Sequence, residues 1–457
     1  MSRIDRSDLQ GNVLRGYGFP AARYLFAEVR DAGPARAWLA SLEVTSEERR
    51  HPVPTLNVAL THAGLRALGV PDHVLGSFPA EFRAGMAARA GCLGDEGPSA
   101  PEAWEETLRG ERLHVLLTVT APDAAAAAGR AEDLTRDLRG HGLALVHDQP
   151  AATLAGRREH FGFTDGFSQP AFRGAGREAV RGQGVPVAWR PWYRWRDDIV
   201  RSRSNRRVGF RALAPGELVL GYSDEDRARP PAPAAPFDRN ATFMVWRKLA
   251  QDVAGFRRFL ASAAQATGLS EGLVAAKVVG RWRDGSPLVL RPERGDAALG
   301  WDKDRVNDFS YARDRDGLCC PRGAHVRRAN PRDAFRFGGT LTARHRIVRR
   351  GVPYGDPLPE DALHDDGRDR GLIFVCLQAD IARQFEIVQA RWCNDGDAFG
   401  LGHAVDPLAG AIEEPTRVTI DGRPPRYATA LRSYVTTRGG AYLFVPGIAA
   451  LRALGRR

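Results

Sequence analysis

Apolar positions along this chain fall into short strand-like runs separated by stretches with helical spacing. ARYLFAEVR (22–30) passes from alternating to continuous apolar character, the pattern of a strand buried on at least one face. PARAWLASLE (34–43) follows with helical spacing and Pro at its start, where the missing N–H has no intrahelical partner to lose. TLNVALT (55–61), LHVLLTVTA (113–121) and LALVHDQPAATL (143–154) read as further strands. The clearest helix is APDAAAAAGRAEDLTRDLRG (121–140), Ala-rich with Pro in its first turn and Gly at its end.

The second half repeats this grammar. ATFMVWRKL (241–249) and GLIFVCLQ (371–378) predict strands, and QDVAGFRRFLASAAQATG (251–268) and ADIARQFEIVQARW (379–392) predict helices. HRIVRRGVPYG (345–355) reads as a strand running into a turn, and YVTTRGGAYLFVPGIAALRAL (434–454) as a hairpin-like pair with a terminal helix. Strands alternating with helices, without a dinucleotide-binding glycine fingerprint, predict an α+β protein of two related halves, 1–160 and 241–457. Between them, 161–240 opens with a glycine-flanked aspartate loop. From 171 it becomes an Arg-, Pro- and Trp-rich insertion with little periodicity, predicted to be a surface excursion.

Composition narrows the class without naming it. No run of about 18 apolar residues exists, so no transmembrane helix is expected. MSRIDRSDLQGNVLRG lacks the apolar core of a secretory signal, so the expected location is cytoplasmic. Five cysteines without a CxxC pair suit a reducing compartment and argue against a zinc module. The net charge of +11 raises nucleic-acid binding. Only Lys248, Lys277 and Lys303 are lysines, however, and the arginines are spread over the whole chain. That distribution fits compositional bias better than a basic face, and no nucleic-acid partner is expected.

Three segments could carry chemistry. HFGFTDGFSQP (160–170) sets Asp165 between Gly162 and Gly166 among phenylalanines, an environment a carboxylate occupies only with compensation. GLCCPRGAHVRRANPRD (317–333) delivers His325 from a Pro/Gly-broken loop, with Arg327 close behind. A neutral imidazole there can ligate a metal or haem iron, and the arginine can meet an anionic group. RHRIVRRGVPYG (344–355) should place Arg349 and Arg350 on opposite faces, one of them inward. On spacing alone a loop histidine beside a surface salt-bridge cluster is the simpler reading of His325, and a buried Arg–Asp pair remains open for the inward arginine.

Taken together, in order and over nearly the whole chain, these segments resemble the dye-decolourising peroxidases. LQGNVLRGYG, RNATFMVWRKLAQDV, GLIFVCLQADIARQFEIVQARW and YVTTRGGAYLFVPG share in the likeness. Gly351, where one bacterial branch has Asn, is similar to the longer fungal-like and actinobacterial-type members. The resemblance implies two ferredoxin-like halves of the dimeric α/β-barrel type, with one haem b in a crevice of the C-terminal half. It implies a peroxidase that uses hydrogen peroxide to oxidise dyes, phenols or other aromatic reductants through a ferryl/porphyrin-radical intermediate. Residue by residue, it makes Asp165 the distal acid–base, Arg349 the distal arginine, and His325 the proximal iron ligand. Gly162, Gly166, Arg327 and Arg349 would border the cofactor. Asp397, Asp395 or, behind them, Glu386 would hydrogen-bond the ligand histidine. The chain is expected as a monomer or homo-oligomer without a membrane partner. A non-catalytic haem carrier or sensor, or a haem-degrading, iron-releasing protein of the same superfamily, is the alternative.

Overall fold

The computed structural model describes residues 4–48, 53–175, 180–196, 198–335 and 337–456. Four strands come from the first half: β1 (Ala21–Val29), β2 (Thr55–Leu60), β3 (Val115–Ala121) and β4 (Leu143–Ala152). They pair antiparallel in the spatial order β2-β3-β1-β4. Helices Ala32–Ser41 and Ala124–Gly140 follow β1 and β3, which completes a ferredoxin-like βαββαβ unit. The second helix starts at Ala124, after the expected 121, because Asp123 caps it, accepting from the Ala126 N–H at 2.8 Å.

The insertion is more ordered than its sequence predicts. β5 (Val185–Ala188), β6 (Ile199–Arg201) and β7 (Val208–Arg211) form a small sheet in the order β5-β7-β6. Each strand is only three or four residues long, too short to leave a periodic signal.

The C-terminal half repeats the first unit. β8 (Thr242–Gln251) leads into helix Val253–Thr267. The expected strand over 345–355 is two fragments, β9 (Val348–Arg349) and β10 (Val352–Tyr354), on either side of Arg350-Gly351. Both pair with β11 (Gly371–Gln378). The expected helix over 379–392 is wound as π-helical turns, Ala382–Glu386 and Val388–Cys393. A hairpin that sequence reading missed, β12 (Thr416–Ile420) with β13 (Arg426–Leu431), precedes β14 (Val435–Val445). The hairpin expected over 434–454 is one strand, β14, followed by helix Ile448–Leu454. In place of a turn the strand has a bulge at Arg438, between Thr437 and Gly439, and Gly439 lies so close to Leu108 that a Cβ there would meet it at 2.5 Å.

The order β10-β11-β8-β14 reproduces that of the first half, and β14 joins β2 at Phe444↔Leu60 into one nine-stranded sheet. Aromatic packing holds this junction. Phe78 and Phe444 lie 5.1 Å apart and Phe82 and Phe243 5.4 Å apart, all fully buried. Each such ring contributes roughly 1.5–3 kcal/mol by burial. Among the described residues, no helix is long and apolar enough to cross a membrane.

Candidate active site

The aspartate loop is shaped by groups that are not themselves reactive. Gly162 and Gly166 have φ of +93° and +87°, the left-handed region that other residues rarely enter. The Glu159 carboxylate accepts the Phe161 and Phe163 N–H groups at 2.9 Å each and the Gln251 amide at 2.8 Å. Thr164 donates its N–H and hydroxyl to the Arg283 carbonyl. Phe161 packs on Phe256 at 4.5 Å, tying the loop to the helix after β8.

This scaffold presents Asp165 to Arg349, whose Nη2 lies 3.2 Å from Oδ1. Burial pushes the Asp165 pKa up, but Arg349, the Gly166 N–H and His325 outweigh it and hold it below the usual carboxylate range. Arg349 belongs to β9, opposite Cys376, and its backbone is clamped by Gln169. The Gln169 Nε2 donates to the Arg349 carbonyl at 2.9 Å, and the Arg349 N–H donates to Oε1 at 3.0 Å. Arg350 takes the other face, where its Nε donates to the Asn12 carbonyl at 2.8 Å.

His325 opens a five-residue helix, His325–Ala329. Its Nδ1 donates to both oxygens of Asp406, each at 3.0 Å. Asp406 is fully buried and also accepts the Leu408 and Ala409 N–H groups at 2.9 Å. Burial alone would lower the His325 pKa, but Asp406 raises it overall. His325, Asp165 and Arg349 are close enough for their charges to act on one another. All three side chains keep accessible surface, 29%, 46% and 37% respectively, although they lie deep in the protein. Each therefore keeps exposed surface within electrostatic reach of the other two.

Several expected residues sit elsewhere. Asp395 turns back to accept the Asp397 N–H at 2.9 Å, and Asp397 is exposed; neither touches His325. The physical reason is Arg328, which donates to the carbonyls of Trp392, Asp395 and Ala404 and folds this loop with its backbone, not its carboxylates, toward the His325 helix. Glu386 pairs with Arg89 at 2.7 Å and accepts from the Tyr442 hydroxyl at 3.0 Å. The π-helical turns aim it at the first half of the chain. Arg327, expected beside the cofactor, is 1% exposed, stacks on Tyr311 at 4.4 Å and donates to the Cys320 carbonyl at 2.7 Å. It braces the loop ahead of His325.

Two residues were missed. Asp406 lies in GHAVDPLAG, with no spacing rule to connect it to a histidine 81 residues earlier. Arg346, three residues before Arg349, accepts from Gln384 through its carbonyl, but its guanidinium makes no hydrogen bond or ion pair with any described residue. Burial, then Arg332, pushes its pKa down to about 9. A half-buried guanidinium without a counter-charge among the described residues suits an anion. In a chain with 66 basic residues, nothing in the sequence distinguished it. A haem fits this donor set: His325 Nε2 has no partner among the described residues and could reach iron, and Arg346 could meet a propionate.

Comparison with known proteins agrees with the fold. The DyP dimeric alpha+beta barrel domain matches residues 8–143, and the Dyp-type peroxidase C-terminal domain matches 277–412. These define a haem-dependent peroxidase, which acts on peroxide and a reducing substrate. The chain belongs to the dye-decolorizing peroxidase family. It is 30% identical to the multifunctional dye peroxidase DyP2 of an Amycolatopsis species, over 98% of this chain and 95% of that protein. It is 28% identical to the dye-decolorizing peroxidase of Mycena epipterygia, over 99% of this chain and 87% of that one. The fold matches the crystal structure of a fungal DyP-type peroxidase from Auricularia auricula-judae with a TM-score of 0.83. That match covers 100% of this chain and 99% of that one at 24% identity.

Proposed function

We propose that Asp165, Arg349 and His325 form the working centre of a peroxidase that holds one haem b and oxidises phenols, dyes or related aromatic reductants. The observation that carries this reading is the Asp165–Arg349 pair at 3.2 Å, facing a histidine whose far nitrogen is tied to a buried carboxylate. Haem, when bound, supplies the iron at which peroxide is reduced and the oxidising equivalents passed to the second substrate. The residues supply the rest. Asp165, kept ionised by Arg349, takes a proton from hydrogen peroxide on a carboxylate oxygen and returns it to the departing water. Arg349 offsets the negative charge that develops as the O–O bond breaks. Asp406 holds the His325 proton on Nδ1, which leaves Nε2 as the ligand atom and makes it more electron-donating. Arg346 would hold a propionate, in place of Arg327, which is taken up in bracing the loop. Gly162 and Gly166 act through loop shape.

The test is an absorption spectrum of haem-reconstituted protein before and after one equivalent of peroxide. A histidine-ligated Soret band that shifts with peroxide and recovers with a phenol is expected. Tight haem binding with no response to peroxide would overturn the reading in favour of a carrier, and release of iron in favour of haem degradation.

A further inference from the structure

The peroxide chemistry gives no role to Cys393, a buried thiol at the proximal carboxylate. It ends the π-helical turn Val388–Cys393, a winding that recurs at functional sites. Val388, Trp392 and Phe399 share one apolar cluster with it. In such surroundings a free thiol is a small apolar side chain with a single weak donor. That donor is spent on the Asp406 carboxylate. Burial, then the Asp406 charge, keep the thiol protonated well above its usual range, so it offers a hydrogen and never a second negative charge.

The contact is built by the backbone. The Asp406 N–H donates to the Cys393 carbonyl at 2.7 Å, which sets the two residues side by side. Gln389 Nε2 donates to the Ala409 carbonyl at 2.7 Å, and the Ala411 N–H donates to Asn394 Oδ1 at 3.0 Å, so further bonds stitch the turn to the 406–411 segment. Arg328, three residues after His325 on the same short helix, closes the frame. It donates to the Trp392 carbonyl at 2.9 Å and to the Ala404 carbonyl, and its guanidinium lies 4.9 Å from the Phe399 ring. The His325 helix, the Cys393 turn and the Asp406 loop are thus one hydrogen-bonded unit.

Donors to one carboxylate compete for the same negative charge. Asp406 meets the Leu408 and Ala409 N–H groups, His325 Nδ1 and the Cys393 thiol. A carboxylate has about four acceptor positions, so this set fills it. Charge drawn toward the thiol is not available to pull on the His325 proton. A weaker pull leaves Nε2 less basic, and a less basic axial nitrogen favours ferrous over ferric iron. A serine hydroxyl in the same place would draw harder, because O–H bonds to a carboxylate are shorter and charge-assisted. The thiol therefore stands between no donor and a strong one. We propose that Cys393 is a positioning residue of the proximal side, whose thiol tempers Asp406 and so sets how strongly His325 donates to iron. This deepens the peroxidase reading and rests on it for the iron alone.

The experiment is redox potentiometry of the haem-loaded protein in C393V, which lacks the donor and fills its space, and in C393S, which strengthens it. C393A takes the place of C393V should that variant not fold. Removing the donor should favour ferric over ferrous haem at least threefold, a fall of about 28 mV for one electron, and C393S should raise the potential. Altered packing alone does not follow the strength of a donor. An unchanged potential in folded variants, or shifts of the same sign in C393V and C393S, overturns the proposal. A second readout needs no iron. In haem-free protein the Nδ1 proton resonance of His325 should move downfield in C393V and upfield in C393S, and a resonance that stays in place in both overturns the proposal as well. Failure of the peroxidase reading shows instead in the Soret response of the wild type to peroxide, and leaves this resonance to decide.

Discussion

Replacing Asp406 by Asn tests the proximal side with almost no change of shape. The Leu408 and Ala409 N–H groups donate to Oδ1, His325 Nδ1 meets both oxygens, and the Cys393 thiol also hydrogen-bonds the carboxylate. The Asn side chain can therefore keep its oxygen on the two backbone N–H groups, which leaves its NH₂ opposite His325 Nδ1. Two donors cannot share that contact, so Nδ1 must give up its proton and Nε2 must carry it. The nitrogen that should face iron is then the protonated one. The loss is one charge-assisted hydrogen bond, about 1.5–3 kcal/mol. At about 1.4 kcal/mol per tenfold that is roughly 10–100-fold in affinity, the range typical of carboxylates behind metal-bound histidines. Titration of haem-free D406N with ferric haem, followed at the Soret band, should show this weakening, together with a rise in the iron reduction potential. Wild-type affinity and potential in a variant with wild-type circular dichroism would refute the role of Asp406.

Other outcomes follow from the same geometry. D165N should bind haem normally but lose its reaction with peroxide by at least 100-fold in stopped-flow measurements, since Asn cannot take the proton. Because Arg349 and the Gly166 N–H hold Asp165 below the usual 3.8, the group keeps its charge into acid. The acid limb of kcat/KM for peroxide should therefore fall below that value in the wild type and move upward in R349L. The stability contributed by Asp165 has the same sign: it is present above the unfolded pKa and lost as pH falls through the lower folded one. Q169A removes both bonds to the Arg349 backbone, and should lower the rate with peroxide about tenfold with little change in haem affinity. E386Q should leave the haem spectrum unchanged and cost about 1 kcal/mol in denaturant unfolding. That figure is discounted because Arg89 is 36% exposed. A perturbed proximal spectrum would reinstate Glu386 behind His325. G162A faces a φ of +93° and an Arg283 nitrogen 2.6 Å from the new Cβ, and should lose about 1–3 kcal/mol by the same assay.

The sequence by itself determined the repeated α+β pattern, because a strand buried on both faces leaves a continuous apolar run and a capped helix leaves its cap. β2 and β8 and the helices after β3 and β8 lie where that logic puts them. It also singled out Asp165, His325 and Arg349, whose local settings were unusual: a carboxylate between glycines, a histidine after a broken loop, an arginine on an alternating segment. Tertiary structure alone decided which carboxylate stands behind His325. Asp395, Asp397, Glu386 and Asp406 are all acids downstream of the histidine, and periodicity cannot rank them. The choice depends on how Arg328 gathers the 392–404 loop and on the π-helical turns that rotate Glu386 toward Arg89 and Tyr442. Arg346 was hidden for a related reason. That its guanidinium has no partner among the described residues is a property of everything packed around it, and sequence spacing reports only neighbours along the chain.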